Sequence, residues 1–145
     1  MSRPPSPLSR SAAHILVVDD WTDVRDVFRM AIEAAGPFRV TCVGNGEEAL
    51  SVLRHDRPDL AVIDVALPRM TGLELAARAT ALGIPVLLTT GHLMHAEALD
   101  AAGCKPLRKP FKLATLTADV REMIGTDPET ACERARAALR RLPEV

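Results

Sequence analysis

Aromatic side chains are scarce in this chain: they make up 3% of its 145 residues, and tyrosine does not occur. Proteins that bind single-stranded nucleic acid usually stack the bases on aromatic rings, and this chain has too few for such a surface. The formal net charge is only −1, so the chain also lacks the basic field that attracts a phosphate backbone. Both features argue against direct nucleic-acid binding and predict an aliphatic core.

Long apolar runs are also missing. No stretch approaches the roughly 20 apolar residues that a membrane-spanning helix needs, and residues 1–13 lack the apolar segment of a signal peptide. The three cysteines, Cys42, Cys104 and Cys132, are odd in number and lack the spacing of a metal site, which predicts reduced thiols. These features predict a cytoplasmic protein without a membrane partner.

The length and the hydrophobic content of 48% predict one globular domain with a substantial core. Residues 1–13 are rich in proline, serine and arginine, and they are predicted to form a flexible N-terminal tail. The main domain is predicted over residues 14–124. Residues 125–145 are predicted to form a C-terminal helical extension.

Two apolar runs end abruptly in carboxylates. The run from Ile15 to Val18 is followed by Asp19 and Asp20, and a second run, residues 60–63, is followed by Asp64. Continuous apolar runs suit strands buried on both faces of a parallel sheet, whose ligand sites lie at the carboxyl ends of the strands. Three clustered carboxylates repel one another unless a cation lies among them. A hard divalent cation with oxygen ligands, Mg²⁺, is the predicted occupant.

Five strand patterns alternate with five helix patterns, which predicts a doubly wound α/β fold with a parallel sheet. The predicted strands are 15–18, 38–43, 59–63, 84–89 and 104–108, and the predicted helices are 22–35, 45–55, 71–82, 93–102 and 113–124. The second strand carries Arg39 and Thr41, and the fifth contains Pro106, so both are predicted at sheet edges. These positions favour the flavodoxin-like strand order 2-1-3-4-5.

Helix starts are predicted from residues that can accept a hydrogen bond from the first turn: Thr22, Asn45, Thr71 and Asp127. The last of these opens an additional helix with an apolar stripe, which consists of Ala131, Ala135, Ala138, Leu139 and Leu142. Arginines surround the stripe. The sequence leaves two alternatives: a terminal helix that docks on its own domain or protrudes into solvent, and a helix that binds a partner or dimerises.

From His14 to about Ile124, the sequence resembles the CheY-like receiver domains of bacterial response regulators. The resemblance rests on a set of residues in order along the chain: Asp19–Asp20, Asp64, Pro68, Gly72, Thr90–Gly91 and Lys109–Pro110–Phe111. Each residue alone is a weak signal. All of them together, each at or near a predicted strand end, make a specific pattern.

The resemblance implies that Asp64 accepts a phosphoryl group from a phosphohistidine on a partner kinase. It implies Mg²⁺ held by Asp19, Asp20, Asp64 and the backbone carbonyl of Ala66. It further implies that Thr90 donates a hydrogen bond to the phosphoryl group, that Lys109 pairs with it, and that the Lys109–Pro110 peptide bond is cis.

One position departs from the family pattern. Most receivers carry tyrosine or phenylalanine three residues before the lysine, and its rotation follows the movement of the threonine. That position here is Pro106, so the usual coupling is unavailable. Residues 85–92 are similar to a sequence motif of one atypical receiver subfamily that also lacks the switch aromatic. The strict matches are Pro85, Thr90 and Gly91.

The resemblance implies a single-domain response regulator of a two-component phosphorelay, since residues 125–145 are too few for an output domain. Its expected partners are a sensor histidine kinase or phosphotransfer protein and a downstream target. The target is expected to dock on the face formed by the fourth helix, fifth strand and fifth helix. No enzymatic activity is expected beyond phosphorylation and dephosphorylation of the chain's own aspartate.

Two alternatives come from other functional classes. The first is a pseudo-receiver, an interaction module that works without phosphorylation, and Pro106 favours it. The second is a Mg²⁺-dependent phosphohydrolase that proceeds through an aspartyl phosphate. One common hydrolase type carries a second acid two residues after the nucleophile, and Ala66 occupies that position here. The hydrolase is therefore the weaker alternative.

Overall fold

The sheet has five parallel strands in the order β2-β1-β3-β4-β5, as the sequence predicts. The structure is a computed structural model that describes residues 12–142, so most of the predicted N-terminal tail falls outside it. The strands are β1 (Ala13–Val18), β2 (Phe38–Val43), β3 (Leu60–Asp64), β4 (Val86–Thr90) and β5 (Leu107–Arg108). The three central strands are buried almost throughout, which explains their continuous apolar sequences.

Six helices cover the two faces of the sheet. They are α1 (Thr22–Ala35), α2 (Gly46–Asp56), α3 (Gly72–Ala81), α4 (Leu93–Ala102), α5 (Leu113–Gly125) and α6 (Pro128–Arg141). Within residues 12–142, none of these helices combines the length and the apolar character needed to cross a bilayer.

Alternation along β1 creates two separate hydrophobic cores, one on each face of the sheet. Ile15 and Val17 pack with α1 and α5. Leu16 and Val18 face the opposite side, where they pack with α2, α3, α4 and the end of α6. Successive side chains of a strand point to opposite faces, so one buried strand serves both cores.

Strand β5 is shorter than predicted. The prediction covered residues 104–108, but only Leu107 and Arg108 pair with β4. Proline has no N–H to donate, so Pro106 cannot extend the ladder. Cys104 instead donates its N–H to the carbonyl of Leu99 at 2.9 Å, which closes the end of α4.

The predicted helix starts are confirmed at three of four positions. The side chains of Asn45, Thr71 and Asp127 accept hydrogen bonds from backbone N–H groups three residues later. The prediction for Thr22 is wrong. Trp21 holds the N-cap position of α1, and the hydroxyl of Thr22 accepts a hydrogen bond from Arg25 instead.

Helix α6 docks on its own domain, where it contacts α3, α4 and β4. Ala131, Cys132 and Ala138 are buried, and Leu139 and Leu142 pack against the core beneath α3 and α4. The solvent-protruding form of this helix, one of the alternatives left open by the sequence, is therefore wrong for the described chain.

His14 carries a pH-dependent contribution to stability. It is buried, its Nε2 lies 2.7 Å from the hydroxyl of Thr41, and its Nδ1 has no hydrogen-bond partner among the described residues. Burial lowers the pKa of His14 below 6.5, and the nearby charge of Arg39 lowers it further. The unfolded chain therefore binds a proton more readily than the folded chain.

We expect the free energy of unfolding to fall as pH drops below about 6.5, because protonation then favours the unfolded state. His14→Gln keeps a side chain that can bond Thr41 but does not titrate. Urea unfolding of both proteins between pH 8 and pH 5 checks this. The free energy of unfolding of the wild type, relative to that of His14→Gln, should fall toward acid pH. Parallel curves for the two proteins would contradict the assignment.

Candidate functional site

Three carboxylates meet at the carboxyl ends of β1 and β3. The two strands pair so that Val18 lies beside Ile63, which places Asp19 and Asp20 next to Asp64. Each of the three offers an oxygen, and these atoms lie within 4.8 Å of one another. Asp19 and Asp64 are 1% and 5% exposed, whereas Asp20 faces solvent. The cluster is therefore a buried acidic pocket with one open side.

Lys109 enters this pocket from the end of β5. Its Nζ donates to Oδ2 of Asp19 at 2.6 Å and to Oδ2 of Asp64 at 3.0 Å. Its backbone N–H donates to the carbonyl of Thr90 at 2.8 Å, and the Lys109–Pro110 peptide bond is cis. Burial lowers the pKa of Lys109, but the hydrogen bonds that it donates to Asp19 and Asp64, together with their negative charges, outweigh this effect and raise it. Lys109 is therefore a cation that bridges two buried acids.

Asp64 is held by both of its oxygens. Oδ1 accepts a hydrogen bond from the N–H of Ala66 at 3.1 Å, while Oδ2 accepts from Lys109. Burial raises the pKa of Asp64, and the hydrogen bond and charge of Lys109 and the Ala66 N–H oppose the rise. The charge of Asp19 adds to the rise. Its carboxylate is thus poorly hydrated but fixed in orientation, which suits a nucleophile in a positioned reaction.

The charges of the pocket fit a divalent cation. Three carboxylates contribute −3 and Lys109 contributes +1, which leaves −2 among the residues of the cluster. Octahedral Mg²⁺ holds oxygens at about 2.1 Å and so needs ligand oxygens about 3 to 4 Å apart. The oxygens of Asp19, Asp20 and Asp64 already lie near this range, within 4.8 Å of one another. The donor set consists of hard oxygens, which Mg²⁺ prefers over softer ligands.

Thr90 lies at the end of the neighbouring strand. Thr89 pairs with Asp64 in the register of β3 and β4, and Thr90 follows it, 3% exposed. The hydroxyl of Thr90 accepts a hydrogen bond from the N–H of His92 at 3.1 Å and lies 3.5 Å from the His92 carbonyl oxygen. Its hydrogen bonds are therefore with the start of α4 and not with the carboxylates.

Two further residues hold the site together, and their roles were not predicted. Arg25 donates to the backbone carbonyl of Asp19 at 2.7 Å and so supports the loop that carries the acids. Gly72 lies directly under Asp64: a Cβ there would lie 2.0 Å from the Asp64 backbone oxygen. Gly72 occurs in the family pattern, but the pattern alone gives no role for it. Nothing in the spacing of Arg25 indicates its contact.

The sequence model of one family, the response regulator receiver domain, matches residues 15–121 of this chain. The chain belongs to this family. The chain is therefore the receiver domain of a response regulator in a two-component system.

Similar proteins include the response regulator MprA. The protein of this name from Mycobacterium bovis (strain BCG / Pasteur 1173P2) is 38% identical over 128 residues, which cover 84% of this chain and 55% of the relative. Its counterpart from Mycobacterium leprae is 38% identical over 125 residues, which cover 82% of this chain and 54% of the relative. The receiver thus spans about half the length of these curated relatives.

Solved structures agree with the fold. A CheY-like response regulator receiver domain from Methanospirillum hungatei JF-1 superposes with a TM-score of 0.69 at 28% identity, covering 79% of this chain and 94% of that one. The chemotaxis response regulator CheY4 of Vibrio cholerae gives a TM-score of 0.67 at 28% identity, covering 77% and 98%. Both matches confirm the flavodoxin-like architecture.

The departure at Pro106 is visible in the structure. Pro106 is buried immediately before β5, two residues upstream of Arg108 and three upstream of Lys109. A proline ring has no rotatable aromatic group, so it cannot change rotamer in response to Thr90. The receiver must transmit any change at the pocket through other contacts. The likeness to an atypical subfamily remains a prediction.

Proposed function

We propose that this receiver accepts a phosphoryl group on Asp64 from a phosphohistidine on a sensor histidine kinase or phosphotransfer protein. The observation that carries the proposal is the buried Asp64 carboxylate, held at 3.0 Å from a lysine ammonium and beside two further acids. A carboxylate is ionised at neutral pH in most settings and needs no general base. Burial raises the pKa of Asp64, and the hydrogen bond and charge of Lys109 oppose that rise by favouring the charged form.

In the proposed transfer, a carboxylate oxygen of Asp64 forms a bond to phosphorus while the bond from phosphorus to the donor's imidazole nitrogen breaks. The nitrogen keeps the electron pair, and the ring leaves as neutral imidazole because its other nitrogen carries a proton in the reacting phosphohistidine. Phosphoryl transfer has a loose transition state, so orientation and charge neutralisation dominate the catalysis. Ala66 and Lys109 fix the orientation of Asp64. Lys109 would also lie close to the negative charge of the incoming phosphoryl group.

Mg²⁺ would be held by Asp19, Asp20, Asp64 and the backbone carbonyl of Ala66. When bound, it would neutralise charge on the phosphoryl oxygens. Asp20 is the exposed member of the set and would be the first to meet the ion. Thr90 would donate its hydroxyl hydrogen to a phosphoryl oxygen, a charged hydrogen bond worth about 1.5–3 kcal/mol.

The proposal includes the predicted organisation and partners. Residues 14–124 form the receiver, residues 125–145 form the extension, and the protein works in the cytoplasm. Its target would dock on α4, β5 and α5, where Leu93, Met94 and Leu113 are exposed. Exposed apolar side chains of this size mark a surface suited to protein contacts.

The pseudo-receiver is the second candidate, and buried Pro106 supports it because the usual conformational reporter is missing. A scaffold that never accepts phosphate has no physical need for a lysine bridging two buried acids. Such a cluster costs desolvation energy that well-packed apolar residues would avoid. The phosphorylated receiver is therefore the better supported function.

Incubation with Mg²⁺ and acetyl phosphate, followed by intact mass measurement, tests the proposal. We expect one phosphoryl adduct on the wild type and none on Asp64→Asn. Asp26→Asn is the matched control, because Asp26 is an exposed carboxylate on α1 outside the pocket, and it should form the adduct normally. An adduct that persists in Asp64→Asn, or no adduct even at high donor concentration, would contradict the proposed acceptor.

A further inference from the structure

Helices α3 and α4 both begin at the acidic pocket. Gly72, the first residue of α3, donates its N–H to the Val65 carbonyl at 2.9 Å and leaves no room for a side chain against Asp64. His92, at the N-cap of α4, donates its N–H to the hydroxyl of Thr90. A change at either Asp64 or Thr90 therefore acts directly on the start of a helix.

Both helices are bound at their other ends by arginines of α6. Arg136 donates to the carbonyl of Thr80 at 2.8 Å, in the last turn of α3. Arg141 donates to the carbonyl of Ala102 at 3.1 Å, the last residue of α4. Carbonyls in the last turn of a helix have no partner within the helix. Arg141 supplies a donor to the Ala102 carbonyl, and Arg136 adds a second donor to the Thr80 carbonyl, which also accepts from the N–H of Gly83 at 3.0 Å.

The C-terminal end of α6 also lies near the loop that follows Asp64. Leu139 and Leu142 line a cavity together with Ala66 and Leu67, which follow Asp64, and with His95 of α4. The cavity has a volume of about 540 Å³, so these walls are not in tight contact. Space of this kind lets the loop after Asp64 shift without first unfolding a packed core.

Resting on the proposed phosphorylation of Asp64, we propose that α6 is the element that reports it. In the unmodified receiver α6 covers the groove between α3 and α4. Phosphorylation loosens α6 and uncovers that groove. This gives the receiver a route for its signal that does not need an aromatic residue at position 106.

The direction follows from the hydrogen bonds of Thr90. A phosphoryl oxygen on Asp64 accepts the hydroxyl hydrogen of Thr90, whose oxygen now lies 3.5 Å from the His92 carbonyl oxygen. Turning the hydroxyl toward Asp64 moves its oxygen away from the His92 N–H, the hydrogen bond that fixes the start of α4. The side chain of His92 provides no cap of its own. Losing an N-terminal hydrogen bond destabilises the first turn of a helix. A shift of α4 moves the Ala102 carbonyl away from Arg141.

Hydrogen exchange measured by mass spectrometry tests this on the full chain with Mg²⁺ and acetyl phosphate. Phosphorylated and unphosphorylated molecules in one sample are mass-selected before fragmentation, so partial phosphorylation does not blur the result. We expect amides of α6 to exchange about tenfold faster in the phosphorylated molecules. Amides of α5 should change by less than about twofold, because α5 packs on the opposite face with α1.

Two arginine variants test the hydrogen bonds separately. Arg136→Gln and Arg141→Gln should speed exchange in α6 of the unphosphorylated protein and reduce the further increase on phosphorylation. Arg140→Gln is the matched control: it removes the same charge from the same helix, and Arg140 has no side-chain hydrogen bond to another residue in the range 12–142. It should exchange like the wild type.

The outcomes separate the two proposals. An adduct on Asp64 with unchanged or slower exchange in α6 overturns the role of α6 and leaves the phosphoacceptor intact. Arginine variants that exchange like Arg140→Gln also overturn it. No adduct overturns the proposed function, and with it the inference that rests on it.

Discussion

Replacing Gly72 by alanine is expected to lower the free energy of unfolding by about 3 kcal/mol or more. A Cβ at this position would lie 2.0 Å from the backbone oxygen of Asp64 and 2.7 Å from its carbonyl carbon. Both neighbours are backbone atoms, so no side chain can rotate away to make room. The first turn of α3 must therefore separate from the end of β3, which would also displace Asp64.

Urea unfolding followed by circular dichroism measures this loss, with Gly125→Ala as the control. Gly125 lies at the end of α5, and a Cβ there would meet no atom within 4 Å. Alanine is favoured over glycine in a helix by about 0.5–1 kcal/mol, so the control should be neutral or slightly stabilised. If the free energy of unfolding of Gly72→Ala lies within about 1 kcal/mol of the wild-type value, the β3–α3 junction can rearrange more easily than its geometry indicates.

The acidic site is predictable because its residues follow strand ends. In a parallel sheet all carboxyl ends lie at one edge, so strand order alone brings Asp19, Asp64 and Lys109 together. The order itself follows from which strands are apolar throughout and which carry polar or proline positions. Local sequence was therefore enough to predict the fold and to collect the candidate residues.

Contacts between distant segments were not predictable in the same way. Arg25 contacts the Asp19 carbonyl only because α1 packs across the end of β1. Helix α6 has a recognisable apolar stripe, but its groove is formed by α3 and α4 together, and no spacing in the sequence specifies that pairing. The predicted length of β5 failed for a local reason, since Pro106 cannot donate to the ladder.

Replacing Lys109 by methionine is expected to lower the stability of the protein without Mg²⁺ and to raise its affinity for Mg²⁺. Without Mg²⁺, the variant should lose about 3 kcal/mol of stability, because Asp19 and Asp64 stay buried with no cation between them. Mg²⁺ should bind the variant at least about tenfold more tightly, since the ammonium no longer competes for the same carboxylate oxygens. Added Mg²⁺ should therefore restore much of the lost stability.

Phosphorylation of the same variant should become slower by about 100-fold with saturating Mg²⁺, because a positioned donor to the developing charge is lost. Lys112→Met is the matched control: it removes the same charge three residues later, from an exposed position at the start of α5. Its stability, Mg²⁺ affinity and phosphorylation rate should stay close to those of the wild type. Urea unfolding with and without Mg²⁺, a Mg²⁺ titration and the acetyl phosphate reaction provide the three measurements.

The phosphorylation rate of the variant with saturating Mg²⁺ separates a catalytic lysine from a structural one. If Lys109 only neutralised the buried acids, Mg²⁺ would replace it for both folding and phosphorylation. The variant with saturating Mg²⁺ would then be stable and phosphorylated at the normal rate. If it also faces the transferred group, Mg²⁺ restores folding but leaves the reaction slow. The geometry favours the second result, because Nζ lies 3.0 Å from Asp64 Oδ2, the oxygen next to any phosphoryl group that Asp64 accepts.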